Sequence, residues 1–141
     1  MYLDQKSVMN TKILMMATAV YLGLTGLALT FLPQEIAQNL NSNSDQVTRL
    51  LLQVLGALYL GFAMLNWMAK NNLIGGIYSK PLVVGNLAHY VISSFALVKV
   101  VHQFSGDVFS IMIGITVVYI IFSLCFAYVY IANPTKLTVN K

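Results

Sequence analysis

The chain has 141 residues, of which 58% are hydrophobic and only 9% are charged. An ordinary globular protein has roughly 25% charged residues, and a soluble domain of this size is too small to hide so much apolar surface. The eight cations behind the formal net charge of +4 stand singly at the edges of apolar runs, which excludes nucleic acid as a partner.

Four long apolar segments follow one another along the chain. They cover residues 13–32, 47–69, 82–101 and 108–132. Each has about 20 residues or more, and a helix of that length spans about 30 Å, the thickness of the hydrocarbon core of a bilayer. Only helices and closed barrels satisfy the backbone in hydrocarbon, and the alternating pattern of barrel strands is missing. The sequence therefore predicts one all-α domain over residues 1–141, an integral membrane bundle of four transmembrane helices.

Residues at the ends of these segments favour the same division. Pro33 closes the first segment, and Pro81 stands in the first turn of the third, where its missing N–H costs nothing. Ser42 or Asn43 is the predicted N-cap of the second segment, and Gly106 breaks the chain before the fourth. The connections are short, so consecutive helices are expected to pack as antiparallel neighbours. The stretch 33–40 is expected to form a short helix on the membrane surface.

The distribution of cations predicts the orientation of the bundle. Six lysines precede the first segment, flank the connection between the second and third, or follow the fourth: Lys6, Lys12, Lys70, Lys80, Lys136 and Lys141. Only Arg49 and Lys99 lie on the other side of the predicted spans. Because the cytoplasmic side of a membrane protein carries the excess of lysine and arginine, both termini are expected to be cytoplasmic.

Small residues at a spacing of four occur in the first two segments. They are Ala19 with Gly23 and Ala57 with Gly61. Such pairs let two helix backbones approach closely. We favour contact within the bundle as their role, and an interface between copies of the chain is the alternative.

Polar side chains recur at helical spacing in all four segments. They are Thr18, Tyr21 and Thr25; Gln53, Tyr59 and Asn66; Asn86, His89 and Ser93; and Thr116, Tyr119 and Ser123. Polar groups that face lipid are costly, so these stripes are expected to turn inward. They either line a polar pocket near the bilayer midplane or hydrogen-bond to one another across the bundle, and we favour the second interpretation.

His89 lies near the centre of the third segment, where an ionisable side chain is a candidate for function. It suits a proton relay or the recognition of a polar ligand head group, whereas a histidine bonded to a tyrosine is the structural alternative. The candidate ligand-binding residues are His89, Asn86, Ser93, Tyr21, Tyr59 and Tyr119.

Catalytic chemistry is not expected from this sequence. It has no Ser–His–acid set, no paired carboxylates and no nucleotide-binding fingerprint, and no Asp or Glu falls inside an apolar segment. Its one cysteine, Cys125, excludes a cysteine-based metal site and favours a packing role. We therefore expect no catalytic residue, metal or cofactor, and both an enzyme and an ion-coupled transporter are disfavoured.

Two stretches dominate the first half of the chain. They read FLPQEIAQNL (31–40) and RLLLQVLGALYLGFAMLNW (49–67). Together with the four-span layout, they resemble the small bacterial four-helix membrane proteins of the DoxX-like type. The resemblance implies a location in the bacterial inner membrane, and some members of the group are linked to oxidoreductase or quinone-related systems. It carries over no binding or catalytic residue.

The function that these features predict is that of a small membrane protein without catalysis. It serves either as an accessory or interaction subunit or as a binder of a hydrophobic small molecule within the bundle. A quinone- or lipid-linked redox helper and a small channel or transporter are the alternatives. The expected partners are membrane lipids, together with a larger membrane complex, a second copy of the chain, or a lipid- or quinone-like ligand.

Overall fold

The structure is a computed structural model that describes residues 11–40, 45–71 and 80–132. Its helices are α1 (Thr11–Phe31), α2 (Pro33–Asn39), α3 (Gln46–Ala69), α4 (Lys80–Val100) and α5 (Gly106–Ala132), with a 3-10 turn over Val101–Gln103. The prediction of an all-helical protein with four membrane-length helices is confirmed for these residues. The four are α1, α3, α4 with its 3-10 turn, and α5, and each is long and apolar enough to cross a bilayer.

The ends of the helices follow local chemistry. Pro33 is the first residue of α2 and separates it from α1, as predicted. Gly106 begins α5 with a φ of +62°, a left-handed conformation that glycine adopts without a steric penalty. This glycine lets the chain turn sharply between the 3-10 turn and α5.

The predicted N-cap of the second apolar segment is wrong. Asp45 caps α3, because its carboxylate accepts a hydrogen bond of 2.9 Å from the N–H of Thr48. Ser42 and Asn43, which the sequence favoured, lie outside the described residues. Asp45 stands directly before the first helical residue, so its short side chain reaches the exposed N–H groups of the first turn.

The closest contact between two helices joins α1 to α3. A Cβ atom added at Gly26 would lie 2.9 Å from the carbonyl oxygen of Gly56, and one added at Gly56 would lie 2.8 Å from the carbonyl oxygen of Gly26. The two backbones touch here, so only glycine fits at either position. One turn before Gly26, a Cβ atom added at Gly23 would lie 3.6 Å from the Cβ of Ala63. Two turns before Gly26, Ala19 is buried.

The structure corrects the prediction for the second pair of small residues. Ala57 is exposed, and a Cβ atom at Gly61 would meet nothing within 4 Å. The face of α3 that turns inward carries Gly56, Tyr59 and Ala63 instead. Ala57 follows Gly56 by one residue, which rotates it by about 100° away from α1. Contact within the bundle therefore holds for Ala19 and Gly23, while an interface between copies of the chain stays a prediction for Ala57 and Gly61.

The chain forms two helical hairpins. The helix α1 packs mainly against α3, and α4 packs mainly against α5. Between the hairpins the backbones lie farther apart, and large side chains make the contact. The protein also covers the second hairpin less. Of the 18-residue apolar stretch of each helix, 17% is buried inside the protein for α4 and 11% for α5, compared with 39% for α1. Lipid or a partner therefore has to cover most of the surface of α4 and α5.

We expect Gly56→Ala to destabilise the bundle. The new Cβ would lie 2.5 Å from the hydroxyl of Thr30 and 2.8 Å from the carbonyl oxygen of Gly26, so the helices must move apart. Overpacking of this kind costs about 1–3 kcal/mol. Gly61→Ala on the same helix is the control. It is expected to be neutral or to stabilise by up to about 1 kcal/mol, because alanine favours the helix. Reversible unfolding in mixed detergent micelles measures both, and equal effects would contradict the contact.

The cap of α3 predicts a dependence of stability on pH. Hydrogen bonds from Thr48, first from its side chain and then from its N–H, hold the pKa of the Asp45 carboxyl below its ordinary value of 3.8. The stabilisation is therefore fully present above that value and is lost as the pH falls through the lower pKa of the folded protein. Asp45→Asn keeps a capping side chain without a charge. We expect the unfolding midpoint of the wild type to fall relative to that of the variant below about pH 4; a parallel decline of both would contradict this.

Candidate functional site

An aromatic cluster surrounds His89 in the middle of the bundle. The imidazole ring stacks on Phe62, with ring centroids 5.6 Å apart and an interplanar angle of 26°. Three tyrosine rings lie around it at centroid distances of 5.4 Å for Tyr59, 5.0 Å for Tyr90 and 5.7 Å for Tyr119. These residues come from α3, α4 and α5, so the cluster lies where the two hairpins meet. It brings together three of the predicted site residues, His89, Tyr59 and Tyr119.

A bond between two tyrosine hydroxyls joins the hairpins at this cluster. The hydroxyl oxygens of Tyr59 and Tyr119 are 2.6 Å apart, and both side chains are buried. Tyr21 of α1 approaches the same group, with its ring centroid 6.0 Å from that of Tyr119 in an edge-to-face arrangement. Rings at this distance and angle attract one another beyond their burial. Tyr21 therefore belongs to the cluster, as the sequence predicted.

Asn86 makes a different connection. Its side chain and that of Asn66 exchange two hydrogen bonds of 2.9 Å each, and both residues are fully buried. Each amide also donates to a carbonyl of its own helix, Asn66 to Phe62 at 2.8 Å and Asn86 to Leu82 at 2.9 Å. All the amide hydrogens of the pair are thereby used. Asn86 thus has a structural role in joining α3 to α4, which corresponds to the second interpretation of the polar stripes.

Two threonines of the polar stripes bond within their own helices. The hydroxyl of Thr25 donates to the carbonyl of Tyr21 at 2.8 Å, and that of Thr116 donates to the carbonyl of Met112 at 2.7 Å. Gln53 departs from the predicted stripe, because its side chain is exposed at the end of α3 and donates to the carbonyl of Thr30 across 3.5 Å. Of the three predicted polar residues of α3, Tyr59 and Asn66 therefore turn inward and Gln53 does not.

Several polar atoms at the centre of the bundle have no hydrogen-bond partner. The Nε2 atom of His89 is buried and unpaired, although its ring is only half-buried overall. The hydroxyls of Thr18, Tyr90 and Ser94 are buried and unpaired as well. The hydroxyl of Tyr90 lies beside that of Thr18 without reaching hydrogen-bond geometry. A buried polar atom of this kind costs about 1–3 kcal/mol when it stays unpaired.

A groove between α4 and α5 lies beside one of these residues, Ser94. It has a volume of about 380 Å³, and its polar groups are the side chains of Ser94 and Ser123 in a mainly apolar wall. Ser94 follows Tyr90 by one helical turn on the same face of α4, but neither His89 nor a ring of the aromatic cluster lines the groove. Ser93, a predicted site residue, is half-buried and is not among the residues that line this groove.

Tyr90, Ser94 and Phe62 are the central residues that the sequence-based prediction missed. A signal for two of them is present, because Asn86, Tyr90 and Ser94 recur every four residues and so share a face of α4. The prediction followed Asn86, His89 and Ser93 instead, a spacing that diverges from this face after one turn. Phe62 carries no comparable signal, since one more phenylalanine in an apolar helix is expected anywhere.

Metal chemistry finds no support in the described residues. No three His, Cys, Asp or Glu side chains of residues 11–40, 45–71 and 80–132 lie close enough together to hold a metal ion. The second histidine, His102, is exposed in the 3-10 turn beyond α4. The side chains around His89 are aromatic rings, and its buried Nε2 can form one hydrogen bond.

The comparisons with known proteins give no relative. No family model, no curated protein and no solved structure matches the chain. The fold and the site define a class only: a four-helix membrane bundle with a central aromatic and polar cluster. The DoxX-like resemblance stays a prediction.

We expect Asn66→Leu to destabilise the bundle by about 1–2 kcal/mol, because it removes both bonds of the amide pair and leaves the carbonyl oxygen of Asn86 unpaired. The double variant Asn66→Leu with Asn86→Leu is expected to recover part of this loss, since no polar group then stays unpaired. Thr25→Val is the control, as that hydroxyl bonds only within its own helix. Unfolding in mixed micelles measures all of them together with Asn86→Leu, and strictly additive losses in the double variant would contradict the coupling.

Proposed function

We propose that this protein is a membrane-embedded binder of a hydrophobic small molecule that carries a hydrogen-bonding head group, and that it does not catalyse a reaction itself. The observation that carries the proposal is the buried, unpaired Nε2 atom of His89 among aromatic rings. Inside a bilayer no water competes for such an atom, so a ligand carbonyl or hydroxyl that reaches it removes the cost of leaving it unpaired.

The surroundings of His89 favour a ligand that is apolar apart from its head group. Phe62 and the tyrosines present flat aromatic faces, which suit a ring or an unsaturated chain. The unpaired hydroxyls of Tyr90 and Ser94 offer further polar contacts. The groove of about 380 Å³ beside Ser94 is mainly apolar and falls within the range of small-molecule sites. A quinone-like or lipid-like molecule fits this combination.

Three alternatives differ in their support. If the ligand is a quinone, the protein is a redox helper whose bundle holds the quinone. An accessory subunit is supported by the exposure of α5, because only 11% of its 18-residue apolar stretch is buried and a partner helix could cover the rest. A channel has less support, because the amides of Asn66 and Asn86 and the hydroxyls of Tyr59 and Tyr119 bond to each other across the axis.

The proposed location rests on the four apolar helices, on the distribution of cations and, for the bacterial inner membrane, on the resemblance to the DoxX-like proteins. Four apolar helices make an integral membrane protein, and we infer that it lies in a bacterial inner membrane with both termini in the cytoplasm. Lys12, Lys70 and Lys80 stand at one end of the described bundle, and Arg49 and Lys99 stand at the other. The ammonium of Lys70 lies 3.2 Å from the ring centroid of Trp67, an arrangement suited to the interface between water and lipid.

The test is the mass of the intact protein after mild extraction from its native membrane. We expect native mass spectra to show a retained molecule of a few hundred daltons. His89→Ala is expected to lose most of it, because the ligand then loses its polar contact. His102→Ala is the matched control, since it removes an exposed histidine outside the cluster.

Circular dichroism and thermal unfolding check that both histidine variants stay folded. Equal retention by folded His89→Ala and by the wild type would refute the proposal. A bare chain in the wild type would refute it as well. A stoichiometric protein partner in place of the small molecule would favour the accessory subunit.

A further inference from the structure

A second cleft, separate from the aromatic cluster, lies at one end of the bundle. It has a volume of about 560 Å³ and opens between the start of α2 and the first turns of α3. Arg49 in its wall and Tyr59 in the cluster are ten residues apart on α3, which is about 15 Å along the helix axis. The end of α1 and the start of α3 meet here, so the cleft lies at the level of the lipid head groups.

The cleft holds one negative and one positive side chain. Glu35 belongs to α2 and is exposed, and Arg49 belongs to α3 and is partly buried. Within the described part of the chain, neither side chain forms an ion pair or a hydrogen bond. The carboxylate of Asp45, which caps α3, lies close enough to Arg49 to attract its positive charge, but it forms no ion pair with it and does not line the cleft. The guanidinium of Arg49 and the carboxylate of Glu35 therefore keep hydrogen-bonding capacity for a ligand that carries both signs.

The rest of the wall matches an amphiphile. Gln46 and Gln53 provide amide groups that donate and accept hydrogen bonds. Phe31 and Leu50 are 73% and 57% exposed, and they continue the cleft onto the apolar surface of α1 and α3. A lipid can place its head group in the cleft while its acyl chains contact these residues, whereas a soluble zwitterion would gain no such apolar contact.

We infer that this cleft binds the head group of a zwitterionic phospholipid with a primary ammonium, such as phosphatidylethanolamine. The phosphate meets the guanidinium of Arg49, which binds phosphate through two parallel N–H donors. The ammonium meets the carboxylate of Glu35 and donates hydrogen bonds to it. A trimethylammonium has no N–H to donate, and an anionic glycerol head group places no cation opposite Glu35, so both are bound less well.

The test uses the full-length protein in detergent with equal amounts of phosphatidylethanolamine, phosphatidylcholine and phosphatidylglycerol, and native mass spectrometry counts the lipids that are retained. We expect phosphatidylethanolamine to be retained best. Glu35→Gln is expected to lower the retention of phosphatidylethanolamine by about tenfold and so to remove the preference for it, because a charge-assisted hydrogen bond is lost. Arg49→Gln is expected to lower the retention of all three lipids by about tenfold for the same reason. Lys99→Gln and Asp107→Asn are the controls, because they remove exposed charges at the same end of the bundle.

Thermal unfolding checks that the variants are folded. Equal retention of phosphatidylglycerol and phosphatidylethanolamine by the wild type would overturn the inference, and so would unchanged retention in folded Glu35→Gln. Free phosphoethanolamine at millimolar concentration is expected not to displace the lipid; complete displacement would show that the apolar wall contributes nothing and would overturn the choice of a lipid. His89→Ala is expected to retain phosphatidylethanolamine normally, which separates this inference from the proposal for the central cluster.

Discussion

The interior of a bilayer supplies no water to a polar side chain, and this constraint organises the centre of the bundle. The amides of Asn66 and Asn86 are satisfied because they bond to each other and to carbonyls of their own helices. The hydroxyls of Tyr59 and Tyr119 form a hydrogen bond with each other that joins the two hairpins. Such pairs also fix which helix faces which, because any other arrangement would leave a polar group in hydrocarbon. The unpaired Nε2 of His89 stands out against this background, and for that reason it carries the proposed ligand site.

The two hairpins hold together by contrasting means. The first hairpin relies on Gly26 and Gly56, whose backbones touch, so that dispersion forces act along the whole length of α1 and α3. Between the hairpins, rings fill the larger distance: that of Tyr21 of α1 lies 5.7 Å from that of Phe122 of α5, and that of Phe62 of α3 lies 5.6 Å from that of His89 of α4. Unpaired buried polar atoms occur in both regions: the hydroxyl of Thr30 lies at the glycine contact of the first hairpin, and Nε2 of His89 lies among the rings.

The candidate sites differ in how far the sequence predicts them. His89, Tyr59 and Tyr119 were predicted to meet, because a polar side chain in a membrane helix has to turn inward and the helical period fixes its face. The partner that each residue takes was not predictable: Asn86 was placed with His89, yet it pairs with Asn66. The cleft of Glu35 and Arg49 has no local sequence signal at all, since the two residues lie on different helices and line one cleft only because α2 packs against α3.

The sequence by itself determined the number of spans, their approximate ends and their helical nature, because these depend on length, on apolar composition and on proline or glycine at fixed positions. Only the tertiary structure decided that Gly56, rather than Ala57 and Gly61, makes the contact with α1. It alone also decided which polar groups pair and which stay unpaired. The physical reason is that a span needs only enough apolar residues, whereas a contact depends on the rotation and offset of two helices. A shift of one residue, about 100° of rotation, exchanges a buried face for one exposed to lipid.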